Sequence, residues 1–544
     1  MRSNSACAGM MLAFFCIAGT AFGQTADNQP ANNVFVVNYL PSQIELNPMK
    51  SFSSTEAQIF TAIYEGLVTY NPLTMKPIPG VAAYWEISPD GKVYTFHLRQ
   101  DALYWNGDQV TAQDFRNSWL ELLNPENHSP YSFLLDVVKG AENYRKGIDK
   151  DPNSVGIHAV SSTILEVQLE HPAAQFLDIL CHHSFVPVHP SMLKFGDWSK
   201  LPSVIGNGPY YIVKKSDSEI DLAKNDLYWD ASNVHIPYIH ITFRSDAAAV
   251  TKDFNEGKIQ WIASGILLDQ VQNKDSVVIN QLFATTYFYF NASVAPWNDP
   301  RVRKALVELL PLEEMRSSKY QYIPATTLVP PIPYYPSVKG ITVTNKADAL
   351  KLLSEAGFPD GKGLPSITIQ VPQGSEDGGM AGLIAKAWND ALGIEVKIAN
   401  KPYQEYVDNL SKDNYTLATL TWIGDFADPL TFLQMWTTGS NLNDAHYSDT
   451  TFDNYVTRSL SESGIPRYDL LGKAEEVLLT GGEVIPLSHS PAINVIDLTQ
   501  IDGWYPNPLD IHPFKYLQFA ALKPLKGVVK AESSAPLVAD AIGR

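Results

Sequence analysis

The stretch from Ser366 to Ile423 constrains the fold more than any other part of the chain. "SITIQVP" alternates Ile367, Ile369 and Val371, the period of two that a strand requires. "GGMAGLIAKAWNDALG" follows and carries Met380, Leu383, Ile384, Trp388 and Leu392 on one helical face. "IEVKIAN" then alternates Ile394, Val396 and Ile398. Strand, helix and strand in that order read as a parallel pair with a right-handed crossover, the unit of α/β folds. A second helix, "YQEYVDNLSK", leads into a further strand, "YTLATLTWI". Asp425 therefore falls just past the C-terminal end of a parallel strand, where open α/β sheets bind ligands. Trp422 and Phe426 flank it. A carboxylate at the mouth of a buried strand is costly unless a positive charge meets it. A ligand's ammonium and a group of the chain itself both fit that role. Asp428, directly before Pro429, reads as a turn former.

The remaining chain has room for several cores. It runs to 544 residues, 45% of them hydrophobic and 18% charged, a globular composition. The net charge of -18 repels phosphate backbones, which argues against nucleic acid as a partner. From 34 to 184 short strands and a few helices are expected. "VYTFHLRQDALY" reads as a strand pair after the turn "SPDGK". In "TAQDFRNSWLELL", Thr111 is the helix cap, Asp114 completes a capping box, and Phe115, Trp119, Leu120 and Leu123 form a core face. Strands dominate from 185 to 282, and α/β order holds from 283 to 487.

The N-terminus carries Arg2, a short apolar run, and "AFG" at 21–23, with small residues on either side of Phe22 before Gln24. That is the pattern of a cleaved secretory signal. A bulky Phe15 directly before Cys16 fits lipid attachment poorly, so lipoprotein anchoring there is the lesser alternative. Cys7 and Cys16 lie within the signal, which leaves Cys181 alone and excludes an intramolecular disulfide in the mature chain. No later run approaches the ~18 apolar residues of a membrane span.

Catalytic constellations are missing from the sequence. It holds no H-E-x-x-H, no G-x-S-x-G and no zinc-spaced cysteine pair. His182 and His183 in "CHHS", read as strand residues, point to opposite faces and do not share a metal. No cofactor and no metal are expected. The chain is not expected to be an enzyme, with a secreted hydrolase as the lesser alternative.

Taken in order, several blocks resemble the oligopeptide- and dipeptide-binding proteins of ATP-binding-cassette importers (solute-binding protein family 5). These are "LNPMKSFSSTEAQIFTAIYEGLVTYNP", "PIPGVAAYWEISPDGKVYTFHLRQDALYWNGDQVTAQDFRNSW", "IGNGPY", "WNDPRVRKAL" and "WIGDFADPLTFL". The resemblance runs over roughly 34–520. It implies an α/β, two-lobed periplasmic binding protein fold of the large class with an extra domain, its lobes joined by crossing hinge strands. The implied organisation is a signal peptide at 1–23, lobe I at 32–64, 186–282 and 488–525, the extra domain at 65–185, lobe II at 283–487, and a C-terminal tail at 526–544.

The resemblance also implies a site. Asp425 takes the place of the aspartate that pairs with a peptide's α-ammonium. Thr421, Trp422 and Ile423 offer backbone groups to an extended peptide, Ser53 and Ser54 form a second contact strip, and Tyr131, Tyr287 and Tyr406 stand where aromatics approach the ligand. For each of these three tyrosines, ordinary core packing is the competing reading. Ala284 and Ile423 occupy places where some members carry cysteines. Thr419 holds one place of a cation that receives the peptide C-terminus, with Lys412 as a substitute. The implied protein is a periplasmic, monomeric receptor that captures peptides and delivers them to an inner-membrane permease. A receptor of the same fold for a metal chelate, an opine or an oligosaccharide is the alternative.

Overall fold

The computed structural model describes residues 34–520 apart from 52, 196, 197, 199, 200, 202, 318–322, 374–376 and 413. The expected signal sequence with Cys7 and Cys16, and the tail at 526–544, lie outside the described residues. Three sheets carry the architecture. A seven-stranded sheet has the spatial order Val277–Gln281, Pro491–Ile496, Trp261–Ile262, Val34–Tyr39, Tyr238–Phe243, Glu219–Lys224 and Tyr210–Lys215. A five-stranded sheet runs Val396–Lys401, Ile367–Pro372, Leu417–Ile423, Ala284–Phe290 and Val484–Ser488. A four-stranded antiparallel sheet is built from Ala82–Ile87, Val93–Leu98, Ile164–Gln168 and Ile157–Ser161.

The two larger sheets are the centres of two lobes, and the chain joins them twice. It leaves the first sheet at Gln281 and enters the second at Ala284; it leaves the second at Ser488 and re-enters the first at Pro491. The crossings lie side by side. Thr286 pairs with Ser488 on one side and Gln281 with Pro491 on the other, and between them Leu282 N donates to Ser490 O and Ser490 N to Ala284 O, both at 3.3 Å. Few residues separate the sheets, so rotation between lobes concentrates in these short links, the arrangement of a hinge.

The expected β–α–β unit is present: Ile367–Pro372 and Val396–Lys401 pair in parallel, and the helix Asp377–Leu392 connects them. Met380, Ile384 and Trp388 of that helix are buried in the second lobe's core. The strand Leu417–Ile423 departs from the expectation of a purely parallel strand. It touches its parallel neighbour only through Ile369 opposite Leu417, and pairs antiparallel with Ala284–Phe290 along its whole length. The crossing strand takes the place beside it.

In the four-stranded region Thr111 caps the helix Ala112–Leu123 with the full Asp114 capping box. Phe115, Trp119, Leu122 and Leu123 are fully buried, each contributing about 1.5–3 kcal/mol of apolar burial. "VYTFHLRQDALY" is not a strand pair. Only Val93–Leu98 is a strand, and its partners are Ala82–Ile87 and Ile164–Gln168. The chain turns at Gln100 and Asp101, and Leu103 makes only an isolated bridge to Gln109. "CHHS" is not a strand either. It ends the helix Phe176–Leu180 and opens the tight turn His183–Phe185, so the two imidazoles lie on one side with ring centroids 4.0 Å apart.

Candidate functional site

The strand Leu417–Ile423 changes character along its length. Leu417, Ala418 and Thr419 are buried, whereas Leu420 to Ile423 emerge towards a cavity of about 650 Å3 between the lobes. Its antiparallel edge is taken by Ala284–Phe290. Beyond Leu417 no strand among the described residues pairs with the other edge. An extended ligand chain can add there as a strand. Leu40, Phe60, Val68, Tyr403 and Ile511 supply much of the apolar wall, and the volume is that of an ordinary small-ligand site.

Past the strand the chain turns at Gly424, whose N–H donates to Phe283 O at 2.8 Å. A Cβ at Gly424 would lie 2.7 Å from the Phe283 ring, so glycine is needed for this close approach to the hinge crossing. The turn delivers Asp425. Its N–H donates to Thr431 Oγ1 at 2.9 Å, and that hydroxyl donates back to Asp425 Oδ2 at 3.0 Å. The Tyr131 hydroxyl from the four-stranded region faces the same carboxylate and favours its charged form. Tyr70 Oη donates to the Asp425 backbone carbonyl at 3.0 Å. His182 Nε2 stands 3.7 Å from Oδ1. His182 Nδ1 accepts from the Ser184 N–H at 3.3 Å, so the neutral ring carries its proton on Nε2, facing the carboxylate.

The electrostatics of this corner are one-sided. Burial pushes the Asp425 carboxyl up to about 7, against partial relief from the Thr431 and Tyr131 hydroxyls. Burial, and secondarily His183, drives His182 well below the usual imidazole range; burial takes His183 to about 4. Both rings are neutral at pH 7 and supply no counter-charge. Among the described residues no lysine or arginine pairs with Asp425. Two other charges of this region already have partners. Asp428 is held by both Nη nitrogens of Arg467, at 2.7 and 2.8 Å, and Lys515, the one lysine or arginine among the described residues lining the cavity, is held by Asp230 at 2.8 Å and Tyr228 Oη at 2.8 Å. The cavity thus holds a buried carboxylate prepared by hydroxyl donors, with the positive partner left to whatever enters.

Of the residues singled out in the sequence, Asp425, Trp422, Ile423, Thr421, Tyr131, Ser53 and Ser54 line the cavity. Trp422 Nε1 donates to Thr431 O at 3.1 Å, tying the strand to the Asp425 turn. Ser53 Oγ caps the helix Ser54–Ile63 by accepting from Glu56 N at 3.2 Å. Tyr287 and Tyr406 stand elsewhere. Tyr287 is fully buried against Trp436 and Tyr289, on the face of its strand opposite to Phe288 and Phe290, which enter the core around Trp388. The Tyr406 hydroxyl accepts from Thr419 N at 3.0 Å and donates to Thr419 O, behind the strand. Tyr403, one turn earlier on the same helix, faces the cavity instead. Asp428, read as a turn former, is also the half-buried partner of the buried Arg467. Ala284 and Ile423 are direct cross-strand partners. Thr419 is buried, and Lys412 is exposed and does not line the cavity. Sequence reasoning missed His182, His183 and Tyr70 as cavity residues. "CHHS" stood out, but only as a metal motif.

A family model for bacterial extracellular solute-binding proteins, family 5 (middle), matches residues 76–444. The chain belongs to this family. It is 28% identical over 525 residues to the oligopeptide-binding protein OppA of Bacillus subtilis, covering 90% of this chain and 94% of that protein. Its structure superposes on that of the Escherichia coli murein tripeptide binding protein MppA with a TM-score of 0.81 at 25% identity, covering 90% and 99% of the two chains. Against the unliganded open form of MppA, also at 25% identity and covering 90% and 98%, the TM-score falls to 0.60. The lobes of this chain therefore stand closer to the first arrangement than to the open one. In this family the fold serves solute binding, and the geometry above is that of a receptor cleft.

Proposed function

We propose that this chain is an extracytoplasmic receptor that captures peptides between its lobes and delivers them to an ATP-binding-cassette importer of the inner membrane. One observation carries the reading: a cavity between the lobes whose buried carboxylate, Asp425, has hydroxyl groups around it but no cation among the described residues. A peptide's α-ammonium supplies that charge. The Thr431 hydroxyl holds the carboxylate oriented, the Tyr131 hydroxyl and the His182 Nε2–H face it, and the free edge at Thr421–Ile423 takes the peptide backbone irrespective of sequence. Main-chain pairing with roomy walls favours breadth over selectivity, and water fills the space that side chains leave. Ser53 and Ser54 form the opposite strip of contacts.

The chain acts by binding and not by catalysis. It works as a monomer in the periplasm, after export and removal of residues 1–23. Its lobes comprise 32–64, 186–282 and 488–525 on one side and 283–487 on the other, with the extra domain at 65–185 and a tail at 526–544. Mass spectrometry of ligand released from protein purified from its native compartment tests the proposal. Short peptides with free N-termini are the expected outcome. A sugar, an opine or a metal chelate in their place would overturn it.

A further inference from the structure

Tyr131 belongs to a short turn, Ser129–Leu135, that is fixed within its own region. Ser132 Oγ donates to Ser129 O at 2.8 Å, Asp136 grips Arg145 through both oxygens at 2.8 and 2.6 Å, and Val138 bridges to Leu169. Across the cleft, the loop after Trp436 is fixed to the second lobe. Asn443 Nδ2 donates to Tyr447 O at 2.8 Å, and Ala445 O accepts from Ala292 N at 2.7 Å. These two firmly held pieces meet through a few polar contacts. Asn441 Nδ2 donates to Ser129 O at 2.8 Å and to Ser132 Oγ at 2.9 Å, and Arg145 Nη1 donates to Gly439 O at 3.3 Å.

We infer that Asn441 is a positioning residue: from the second lobe it clamps the Ser129–Ser132 turn, so that closing the lobes and setting the Tyr131 hydroxyl against Asp425 become one event. The inference rests on the peptide-receptor reading of the Asp425 site. The side chain suits this task. Its amide spans two acceptors on either side of Tyr131, and being uncharged it leaves the field at Asp425 unaltered. It lies on the exposed rim, so water satisfies the same groups when the lobes part. The contact then adds modestly to the closed state without making it irreversible.

The test is stopped-flow dissociation of a short peptide with a free N-terminus from the full-length protein, its Asn441→Ala and Tyr131→Phe variants, and the double variant. Asn441→Ala is expected to speed release by about three- to tenfold, with association unchanged. The double variant is expected to release no faster than the faster single variant, because both changes disable one device. Unchanged release from Asn441→Ala, or effects of the two changes that simply multiply, would overturn the inference while leaving the receptor reading intact. Failure of the unsubstituted protein to bind the peptide would overturn both.

Discussion

Asp425→Asn separates binding from stability, because the two should move in opposite directions. In the ligand-free closed cleft the Asp425 carboxyl is pushed up to about 7, whereas an unfolded aspartate sits at about 3.9. The folded chain therefore binds the proton more tightly than the unfolded one. Stability contributed at this position is highest below about pH 4 and is lost as pH rises towards 7. At roughly 1.4 kcal/mol per tenfold, the gap between the two values is worth about 4 kcal/mol, nearly all of it from removing the carboxylate from water. Asparagine keeps the shape and an acceptor for the Thr431 hydroxyl and carries no charge. The ligand-free variant should thus melt higher than the unsubstituted protein at pH 8 and match it near pH 4. Binding should suffer instead. Truncating one partner of a buried charge pair costs about 2–5 kcal/mol, which corresponds to a roughly thirty-fold to few-thousand-fold weaker Kd. Calorimetry of a tripeptide at pH 7.5 and thermal melts across pH 4–8 read the two effects. Undiminished affinity, or a variant that melts lower than the unsubstituted protein at pH 8, would refute the reasoning.

Further expectations follow from neighbouring contacts. Peptide affinity should weaken as pH falls from 8 to 5, with proton release on binding near pH 6, because the ammonium needs the ionised form of a carboxyl that holds its proton up to about 7; calorimetry in buffers of different ionisation enthalpy reads this directly. Tyr287→Phe should leave both affinity and melting nearly unchanged, since its buried hydroxyl has no partner. Tyr406→Phe should also spare affinity but cost about 1–3 kcal/mol in denaturant unfolding, since it strands the Thr419 N–H that donates to the hydroxyl at 3.0 Å. Arg467→Met should cost about 1–3 kcal/mol in the same unfolding assay, because it leaves the half-buried Asp428 without its cation.

Period and position made part of this molecule legible in the sequence. The alternation in "SITIQVP" and "IEVKIAN", with one helical face between them, specified the parallel pair and put Asp425 at a strand's end. The Thr111 capping box is a local device, and it formed as read. Legibility failed where the outcome depended on distant partners. Nothing near Leu417 shows that the crossing strand Ala284–Phe290 takes the antiparallel side of Leu417–Ile423, because that strand lies more than a hundred residues away. The choice between Tyr403 and Tyr406 turned on which face of a short helix meets the cleft, and both tyrosines are apolar enough to pack. His182 and His183 were misplaced because the dipeptide was assigned to a strand; a helix end brings adjacent side chains together where a strand separates them. Tyr70 carries no local mark of its role, which exists only once the lobes meet.

The decisive comparison is calorimetric titration of the unsubstituted protein with one tripeptide in two forms, its free amino terminus and its Nα-acetyl derivative, at pH 7.5. Acetylation removes the charge and adds bulk where Asp425, Tyr131 and Thr431 converge. The free peptide should bind one to one, and the acetylated form at least about a hundredfold more weakly. Equal affinity for the two would mean that the buried carboxylate does not receive the ligand's amino group.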